Sequence, residues 1–321
     1  MRVVYDLLNE VIETPGRLIV TVGSFDGVHL GHRQVISEVV RWARESEQKS
    51  GPESVIPGLL TFNPLPREAL YPSTFPGLLA TTERKLGLIE QLDIEIVFVL
   101  EFDEALARMP AERFVQGILV EKLNIEGIVV GHDCRFGAGG AGDYEKMAEL
   151  GKQYGFDVRQ VEPFIVDDSP VSSTLIRSRI LAGDLDGAAR LLGGRYSLSG
   201  RVTRGSGIGR MLGFRTANIE AGVGLVPPDG IYAALVRFDA KEVPAALNIG
   251  TSPTVKDAAR RTVEVHILDF NGELYGRELE VVFVKKIRDE KKFPDRESLK
   301  RQIVDDIDQT RQILADIKRA S

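Results

Sequence analysis

The sequence predicts an α/β domain with a parallel sheet, followed by a β domain with an antiparallel barrel and a terminal helix. In the first half of the 321 residues, strand-length apolar runs alternate with helical segments. In the second half, strand-length runs follow one another, and an amphipathic segment ends the chain. We place the linker within "DLDGAARLLGG", residues 184–194, which gives domains of residues 1–186 and 187–321.

Strand and helix patterns alternate three times in the first domain. "RLIVTV" (17–22) precedes a helical face made of Val35, Ile36, Val39, Val40 and Ala43. "EIVFVL" (95–100) precedes "PAERFVQGILVEKL", and "GIVVGH" (127–132) precedes "DYEKMAELGKQYG". Repeated units of this kind predict a parallel sheet with helices on both faces.

The second domain contains five strand-length runs separated by Gly, Pro, Asn and Asp: "YSLSGRVTRG", "GIYAALVRF", "VPAALNIG", "TVEVHILDF" and "ELEVVFVKKI". This pattern predicts an antiparallel sheet or barrel. The last segment places Leu299, Ile303, Ile307, Ile313 and Ile317 at near-helical spacing. We therefore expect a terminal amphipathic helix that packs on the barrel.

Composition narrows the class of protein. The formal net charge is -6, so no overall basic field favours nucleic acid. One cysteine, Cys134, excludes an intramolecular disulfide and fits a reducing compartment. The first residues lack the charge pattern of a signal peptide, and no apolar run reaches the roughly 20 residues of a membrane helix. We expect a cytoplasmic protein with neither nucleic acid nor membrane as partner.

The stretch "TVGSFDGVHLGHRQVI" (21–36) joins the first strand to its helix. The loop contains Gly23, Ser24, Phe25, Asp26 and Gly27, and the N–H groups at a helix start attract phosphate. His29 and His32 lie at helical spacing, so both side chains could reach one polyphosphate and stabilise charge in a transfer step. The spacing alone also allows His29 to be a loop residue and His32 a helix cap.

The string "GSFDGVHLGH" resembles the signature of the HxGH nucleotidyltransferase superfamily, and more narrowly the adenylyltransferase half of bacterial bifunctional riboflavin kinase/FMN adenylyltransferases (FAD synthetases). "TFNPLPREAL", "LLATTERKLGLIEQLDIEIVFVLEFD", "VVGHDCRFGAGGAGD" and "VSSTLIRSRILAGD" resemble later blocks of this family in the same order. The resemblance implies a Rossmann-like nucleotidyltransferase domain in which residues 23–27 bind the nucleotide. His29 and His32 would then be catalytic.

The later blocks add binding residues and two departures. The resemblance implies nucleotide contacts from Ser173, Thr174 and Arg177 and a substrate contact from Asp133, which we assign to flavin. Cys134 is expected to be a packed residue, because the reaction needs no thiolate. The family usually has histidine where this chain has Leu65. The loop after Phe136 lacks the Lys or Arg often seen there, and Pro170 stands where some relatives have Arg. These departures predict weaker adenylylation or looser ATP binding, but not an inactive site.

The stretch "GSGIGRMLGFRTANIE" (205–220) is a second candidate phosphate site. Its Gly207 and Gly209 permit close backbone approach to phosphates, and Arg210 adds charge. Thr216 and Asn218 alternate around Ala217, so their side-chain oxygens share one face. This arrangement could bind Mg²⁺, and it could also belong to an ordinary turn or strand edge. "GFRTANI" resembles the riboflavin kinase PTAN motif with Arg215 in place of proline, and the following blocks also resemble that domain. The resemblance favours the magnesium site.

In "RTVEVHILDF", Glu264 and His266 alternate with apolar residues and so project away from the apolar face. The resemblance assigns Glu264 the role of general base, whereas His266 is expected to be structural.

Together these residues predict ATP-dependent, Mg²⁺-assisted phosphorylation of riboflavin to FMN by the second domain, and adenylylation of FMN to FAD, with release of pyrophosphate, by the first. The alternatives are a kinase without adenylyltransferase activity, a flavin- or nucleotide-binding regulator without turnover, and a nucleotidyltransferase for another phosphate ester. The sequence makes no prediction of oligomeric state.

Overall fold

The structure, a computed structural model, describes residues 1–7, 16–50, 55–204, 213–222, 224–252 and 260–320. Its contacts divide the chain into two compact units. The sheet unit contains residues 1–75 and 82–172, and the barrel unit contains residues 76–81 and 173–321. The predicted class, an α/β domain with a parallel sheet followed by an antiparallel barrel with a terminal helix, is confirmed.

Six strands of the described chain form the parallel sheet, in the order β1-β4-β3-β2-β5-β6. They are β1 (Arg2–Val4), β2 (Arg17–Val22), β3 (Val55–Phe62), β4 (Ile96–Leu100), β5 (Ile125–Gly131) and β6 (Asp157–Val161). A short antiparallel pair, β7 (Ile165–Val166) and β8 (Ser169–Pro170), follows. The three predicted strands of this unit correspond to β2, β4 and β5, which are rich in β-branched residues.

Helices cover both faces of the sheet, as predicted. The helices are α1 (Leu30–Ser50), α2 (Pro66–Leu70), α3 (Thr82–Glu90), α4 (Glu104–Ala107), α5 (Ala111–Phe114), which continues as a π-helical turn (Val115–Val120), and α6 (Tyr144–Tyr154). Along β2, Leu18 and Val20 pack in one apolar core with α5 and α6, whereas Ile19 packs in the other with α1. Burial on both faces explains why these strands are continuous apolar runs.

The main segment of the barrel unit starts with α7 (Ser173–Leu181) and α8 (Leu185–Leu192). Its closed antiparallel barrel has the strand order β10-β13-β12-β11-β14-β9. The strands are β9 (Ser197–Thr203), β10 (Ala217–Glu220), β11 (Gly230–Phe238), β12 (Lys241–Ser252), β13 (Arg260–Ile267) and β14 (Glu278–Arg288). The units divide between Ser172 and Ser173, ahead of the domain boundary chosen from the sequence, because α7 packs on α8 and α8 contacts β14.

The terminal helix α9 (Arg296–Ala320) lies against β11, β12 and β14, as its apolar spacing predicts. A buried ion pair fixes it to the barrel: Arg288 Nε and Nη2 donate to the two carboxylate oxygens of Asp306 at 2.9 and 2.7 Å. Gln302 donates a third hydrogen bond to the same carboxylate at 3.0 Å. This geometry holds one face of α9 at a fixed height above β11 and β12.

Candidate active sites

The loop after β2 lies at the point where the order of the parallel sheet reverses. From β2 the chain crosses through α1 to β3 on one side, and it later returns to β5 on the other side. In open parallel sheets, ligands bind outside the carboxyl ends of the strands at this switch point. Residues 23–29 follow the carboxyl end of β2, so the fold places the predicted phosphate loop where a ligand site is expected.

The loop has a strained backbone. Phe25, Gly27 and Val28 have positive φ angles of 48, 78 and 42°, and Val28 is β-branched, for which such a φ is a real outlier. Phe25 and Val28 are buried, and the Gly23 N–H donates to Leu60 O on β3 at 3.1 Å. Strain of this kind persists only when the surroundings fix it, and it concentrates at functional sites.

His29 and His32 lie side by side, as their spacing predicts. Their rings stack with centroids 3.5 Å apart and planes inclined by 16°. His29 has extended backbone just before α1, and its Nδ1 accepts a hydrogen bond from the His32 N–H at 3.2 Å. His29 is therefore the residue that caps α1, and the alternative in which His32 is the cap is wrong. The bond also requires a lone pair on His29 Nδ1, so its Nε2 carries the proton.

Gly31, between the two histidines, leaves little room for a side chain. A methyl group at Gly31 would lie 3.3 Å from Cε1 and Nδ1 of His29 and 3.4 Å from the carbonyl oxygen of Val171. Contacts this close would push the ring away from its stacked position. Gly31 therefore allows the imidazole pair to form.

The surroundings keep His32 neutral. Burial, the neighbouring His29 and the Lys85 ammonium together hold the pKa of His32 well below its usual value. The residue as a whole is only half-buried, but its Nδ1 is enclosed and has no hydrogen-bond partner among the described residues. A neutral imidazole here can donate one hydrogen bond without bringing a second cation into the site.

Lys85, in the first turn of α3, is a residue of this site that the sequence did not reveal. Its side chain is 2% exposed, and Nζ donates to Thr61 Oγ1, Phe62 O and Ser24 O at 2.9, 3.2 and 3.3 Å. Burial lowers the pKa of Lys85 to about 8, although the charges of Asp26 and Glu68 partly oppose that shift. A lysine within a polar helical segment is usually a surface residue, so no local pattern indicated this role.

Asp133 follows the carboxyl end of β5, the strand next to β2, and its side chain is exposed. Cys134 is half-buried, and burial raises the pKa of its thiol to about 11, so it is inert as predicted.

Leu65 is buried at the start of α2, where its N–H donates to Glu68 Oε2 at 3.2 Å. The side chain in place of the family's histidine is thus packed and contributes no polar group.

Ser173, Thr174 and Arg177 belong to the barrel unit. Ser173 and Thr174 open α7, with Thr174 exposed, whereas the Arg177 guanidinium is buried and donates from Nε to Gly77 O at 2.9 Å. Their convergence on a nucleotide with residues 23–32 stays a prediction. Gly207, Gly209 and Arg210 lie outside the described residues.

In the barrel unit, strand register aligns three polar residues. Glu264 on β13 is opposite Asn218 on β10 and Asn248 on β12. Its neighbours Val263 and Val265 are buried, so the alternation predicted for this strand is confirmed. Opposite residues of an antiparallel pair project from the same face, which brings the two amides beside the carboxylate. Burial, and then the charge of Glu290, raise the pKa of Glu264.

A cavity of about 340 Å³ adjoins Glu264. Its polar lining includes Thr216, Asn248 and Glu264, and also the ion pair of Arg288 and Asp306. The Oδ1 of Asn248 is enclosed with no partner among the described residues. The apolar part is lined by Phe293 and by three residues of α9: Leu299, Ile303 and Ile307. A flat apolar ring system bearing a hydroxylated chain would satisfy both parts.

A second cavity, of about 780 Å³, contains Thr216 and Asn218 together with Arg204, Arg215 and Tyr275. Thr216 lines both cavities. His266 Nδ1 lies 2.8 Å from the carbonyl oxygen of Arg215, which can only accept, so Nδ1 carries a proton and anchors the segment before Thr216. This contact supports the structural role expected for His266.

The residues present fit a magnesium ion. Thr216 and Asn218 are half-buried oxygen donors on one face, and both line the larger cavity. Mg²⁺ commonly takes few protein ligands and completes its shell with phosphate and water. No group of three or more His, Cys, Asp or Glu residues that could hold a metal exists in the described part of the chain.

Each half of the chain also matches a family of phosphate-transferring enzymes, which makes the protein a transferase with two domains. The family model described as FAD synthetase matches residues 11–175, and the model described as riboflavin kinase matches residues 192–314. The chain belongs to the family of bifunctional riboflavin kinase/FMN adenylyltransferases. It is accordingly an ATP-dependent enzyme with a kinase half and an adenylyltransferase half.

Individual relatives cover nearly the whole chain. The bifunctional riboflavin kinase/FMN adenylyltransferase of Escherichia coli (strain K12) is 36% identical over 289 residues, covering 90% of each chain. That of Pseudomonas fluorescens is 36% identical over 297 residues, covering 92% of this chain and 93% of the relative. A solved structure described as a macrolide-efflux protein from Streptococcus pneumoniae has a TM-score of 0.82 at 28% identity, covering 97% of this chain and 99% of that chain.

No helix within the described residues is long and apolar enough to cross a membrane.

Proposed function

We propose that residues 187–321 phosphorylate riboflavin at its ribityl 5'-hydroxyl and that residues 1–186 transfer the adenylyl group of ATP to the FMN formed. The single observation that carries the kinase assignment is the place of Thr216 at both cavities, one beside Glu264 and one beside Asn218 and two arginines. A phosphoryl donor in the larger cavity and an acceptor hydroxyl in the smaller one would then meet at Thr216.

In the kinase step, Glu264 accepts the proton of the riboflavin 5'-hydroxyl, whose oxygen attacks the γ-phosphorus of ATP, and ADP leaves. Thr216 and Asn218 would hold Mg²⁺, which would neutralise part of the negative charge on the phosphates. The apolar side chains of Phe293 and α9 cover the flavin ring. Gly207, Gly209 and Arg210 contact the nucleotide phosphates.

In the adenylyl step, a phosphate oxygen of FMN attacks the α-phosphorus of a second ATP, and pyrophosphate leaves without a covalent enzyme intermediate. His29 and His32 donate hydrogen bonds that stabilise the charge developing on the phosphates. Residues 23–27, with Ser173, Thr174 and Arg177, bind the nucleotide. Asp133, at the carboxyl end of β5, contacts the flavin substrate. Stacking of the two imidazoles at the switch point supports this assignment.

The remaining assignments are broader. We propose a cytoplasmic enzyme whose partners are the small molecules riboflavin, FMN and ATP, with neither nucleic acid nor membrane among them. The net charge of -6 and the single, unreactive cysteine support this proposal.

Separation of the flavin products tests both roles. Incubated with riboflavin, ATP and Mg²⁺, the unmodified chain is expected to yield FMN and then FAD. Glu264→Gln should abolish FMN formation but leave FAD formation from added FMN, and His32→Ala should do the reverse. Glu278→Gln, a change at an exposed carboxylate of β14, serves as the matched control. Normal phosphorylation of riboflavin by Glu264→Gln would refute the role of Glu264 as general base. Formation of FMN but no FAD by the unmodified chain would refute the adenylyltransferase assignment.

A further inference from the structure

We propose that Lys85 is a positioning residue for adenylyl transfer, whose buried ammonium fixes the phosphate loop and supplies a positive charge behind the bound phosphates. This inference rests on the adenylyltransferase function proposed for the sheet unit. It concerns a side chain on a separate helix, α3, and not the loop or the histidines themselves.

Three hydrogen bonds from one ammonium connect the ends of two neighbouring strands. Lys85 Nζ donates to Thr61 Oγ1 and Phe62 O at the end of β3, and to Ser24 O in the loop after β2. Thr61 Oγ1 donates to the same Ser24 oxygen at 3.1 Å. Ser24 immediately precedes Phe25, the first of the residues with positive φ. The ammonium therefore fixes the carbonyl from which the strained turn begins.

The charge of Lys85 is not neutralised by contact. All its hydrogen-bond partners in the described part of the chain are uncharged oxygens. Asp26 and Glu68 act on it only through longer-range attraction. A buried cation without a contacting anion is costly, and such groups are commonly retained for function. Its positive potential acts on the loop where a polyphosphate is expected, and there a fixed charge stabilises anions more strongly than in water.

Lys85 also influences the catalytic histidines. Its charge is one of the causes that lower the pKa of His32, the other two being burial and His29. The groups facing Lys85 are thus Asp26 from the loop, Glu68 from α2 and His32 from α1. With Lys85 charged and His32 neutral, Lys85 supplies the site with a cation whose position does not depend on a flexible surface side chain.

A packing role and the proposed role differ in their pH dependence. Because burial lowers the pKa of Lys85 to about 8, its charge is lost in mildly alkaline solution. FAD formation should therefore fall with an apparent pKa near 8, shifted upwards when ATP is saturating. Riboflavin phosphorylation in the same chain takes place in the other unit and should lack this alkaline loss.

The test compares Lys85→Met, Lys85→Arg and the control Lys152→Met, which removes an exposed lysine of α6. Initial rates of FAD formation from FMN and of FMN formation from riboflavin are measured between pH 6.5 and 9.5, with the pH range chosen around the Lys85 value of about 8. Lys85→Met should lower kcat/KM for FAD formation by about tenfold or more and remove the alkaline loss. Its kinase rate should stay within about twofold of the unmodified chain.

Lys85→Arg keeps a charge that does not titrate in this range. It should retain more FAD formation than Lys85→Met and should lack the alkaline loss near pH 8. If Lys85→Met fails to fold, the fluorescence of Trp42, which is buried in the folded chain, will show it. The pH profile of Lys85→Arg then decides whether the charge of residue 85 matters.

Undiminished FAD formation by Lys85→Met, or an unchanged alkaline loss in Lys85→Arg, would overturn this inference. Failure of the unmodified chain to make any FAD from FMN would instead overturn the proposed function. The two failures are thus distinguishable within one set of assays.

Discussion

Burial of an ionisable group costs a free energy that depends on pH, and among the described residues Lys85 is a clear case. Its pKa is lowered from 10.5 to about 8 in the folded protein. Below pH 8 the lysine is charged in both the folded and unfolded states, so the whole cost of burying the charge is present. Between pH 8 and 10.5 the unfolded state binds more protons, and the folded state gains stability as pH rises.

This cost predicts how the stability of Lys85→Met compares with that of the unmodified chain. The 2.5-unit shift corresponds to about 3 kcal/mol. Between pH 7 and 10, the difference in unfolding free energy should move in favour of the unmodified chain by up to that amount. Trp42, the single tryptophan, is buried in the sheet unit and reports its unfolding in urea. A difference independent of pH would contradict the prediction, and Lys152→Met, which changes an exposed lysine of α6, is the control.

Gly31 gives a second prediction for a single residue. In Gly31→Ala the new methyl group meets the His29 ring at 3.3 Å, so the stacked pair must move by a few tenths of an ångström. We expect FAD formation to fall by about tenfold, because small displacements at a reacting centre are costly. Kinase activity should not change, and product separation measures both.

Gly87→Ala is the matched control, since a methyl group at this position of α3 meets nothing within 4 Å. It should preserve FAD formation and stabilise the helix by up to about 1 kcal/mol. Equal losses in both glycine variants would contradict the steric argument.

Among the elements, α9 has the most direct link between position and function. It supplies Leu299, Ile303 and Ile307 to the cavity proposed for riboflavin. The buried pair of Arg288 and Asp306 sets the height of the helix above the barrel. Movement of the helix would therefore enlarge the apolar part of the cavity while leaving Glu264 in place.

Asp306→Asn is expected to destabilise the barrel unit by about 3 kcal/mol, because it removes the buried carboxylate that pairs with the half-buried Arg288 guanidinium. Riboflavin should bind more weakly, measured by quenching of flavin fluorescence, and amide hydrogen exchange in α9 should accelerate. Asp305→Asn, at an exposed neighbouring position of the same helix, is the control. Unchanged exchange in α9 would show that other contacts fix the helix.

The sequence predicted most elements because each carries a local period. The apolar runs of β2 and β5, the spacing of α9 and the alternation around Glu264 depend on neighbours within a few residues. The site partners of Lys85 lie elsewhere in the chain: Thr61 is 24 positions away and Ser24 is 61 positions away. The row formed by Asn218, Glu264 and Asn248 depends likewise on strand register. Neither arrangement has a local pattern from which it could be predicted.

At the scale of the whole molecule, two active sites in separate units predict that their activities can be separated and recombined. Glu264→Gln should lack only the kinase and His32→Ala only the adenylyltransferase. Mixed with riboflavin and ATP, the two variants should together make FAD through FMN released into solution. Neither variant alone should make FAD from riboflavin. No FAD from the mixture, while each retains its other activity, would show that free FMN does not reach the second site.

The closure of the barrel has a consequence for synthesis on the ribosome. Strand β9 pairs with β14, so the barrel cannot close until residues as far as Arg288 have emerged. The strands of the parallel sheet are complete by Val161, and domains form as units from the N-terminus during translation. The sheet can therefore assemble while most of the barrel is still being translated. The half that carries out the second reaction is thus expected to fold first.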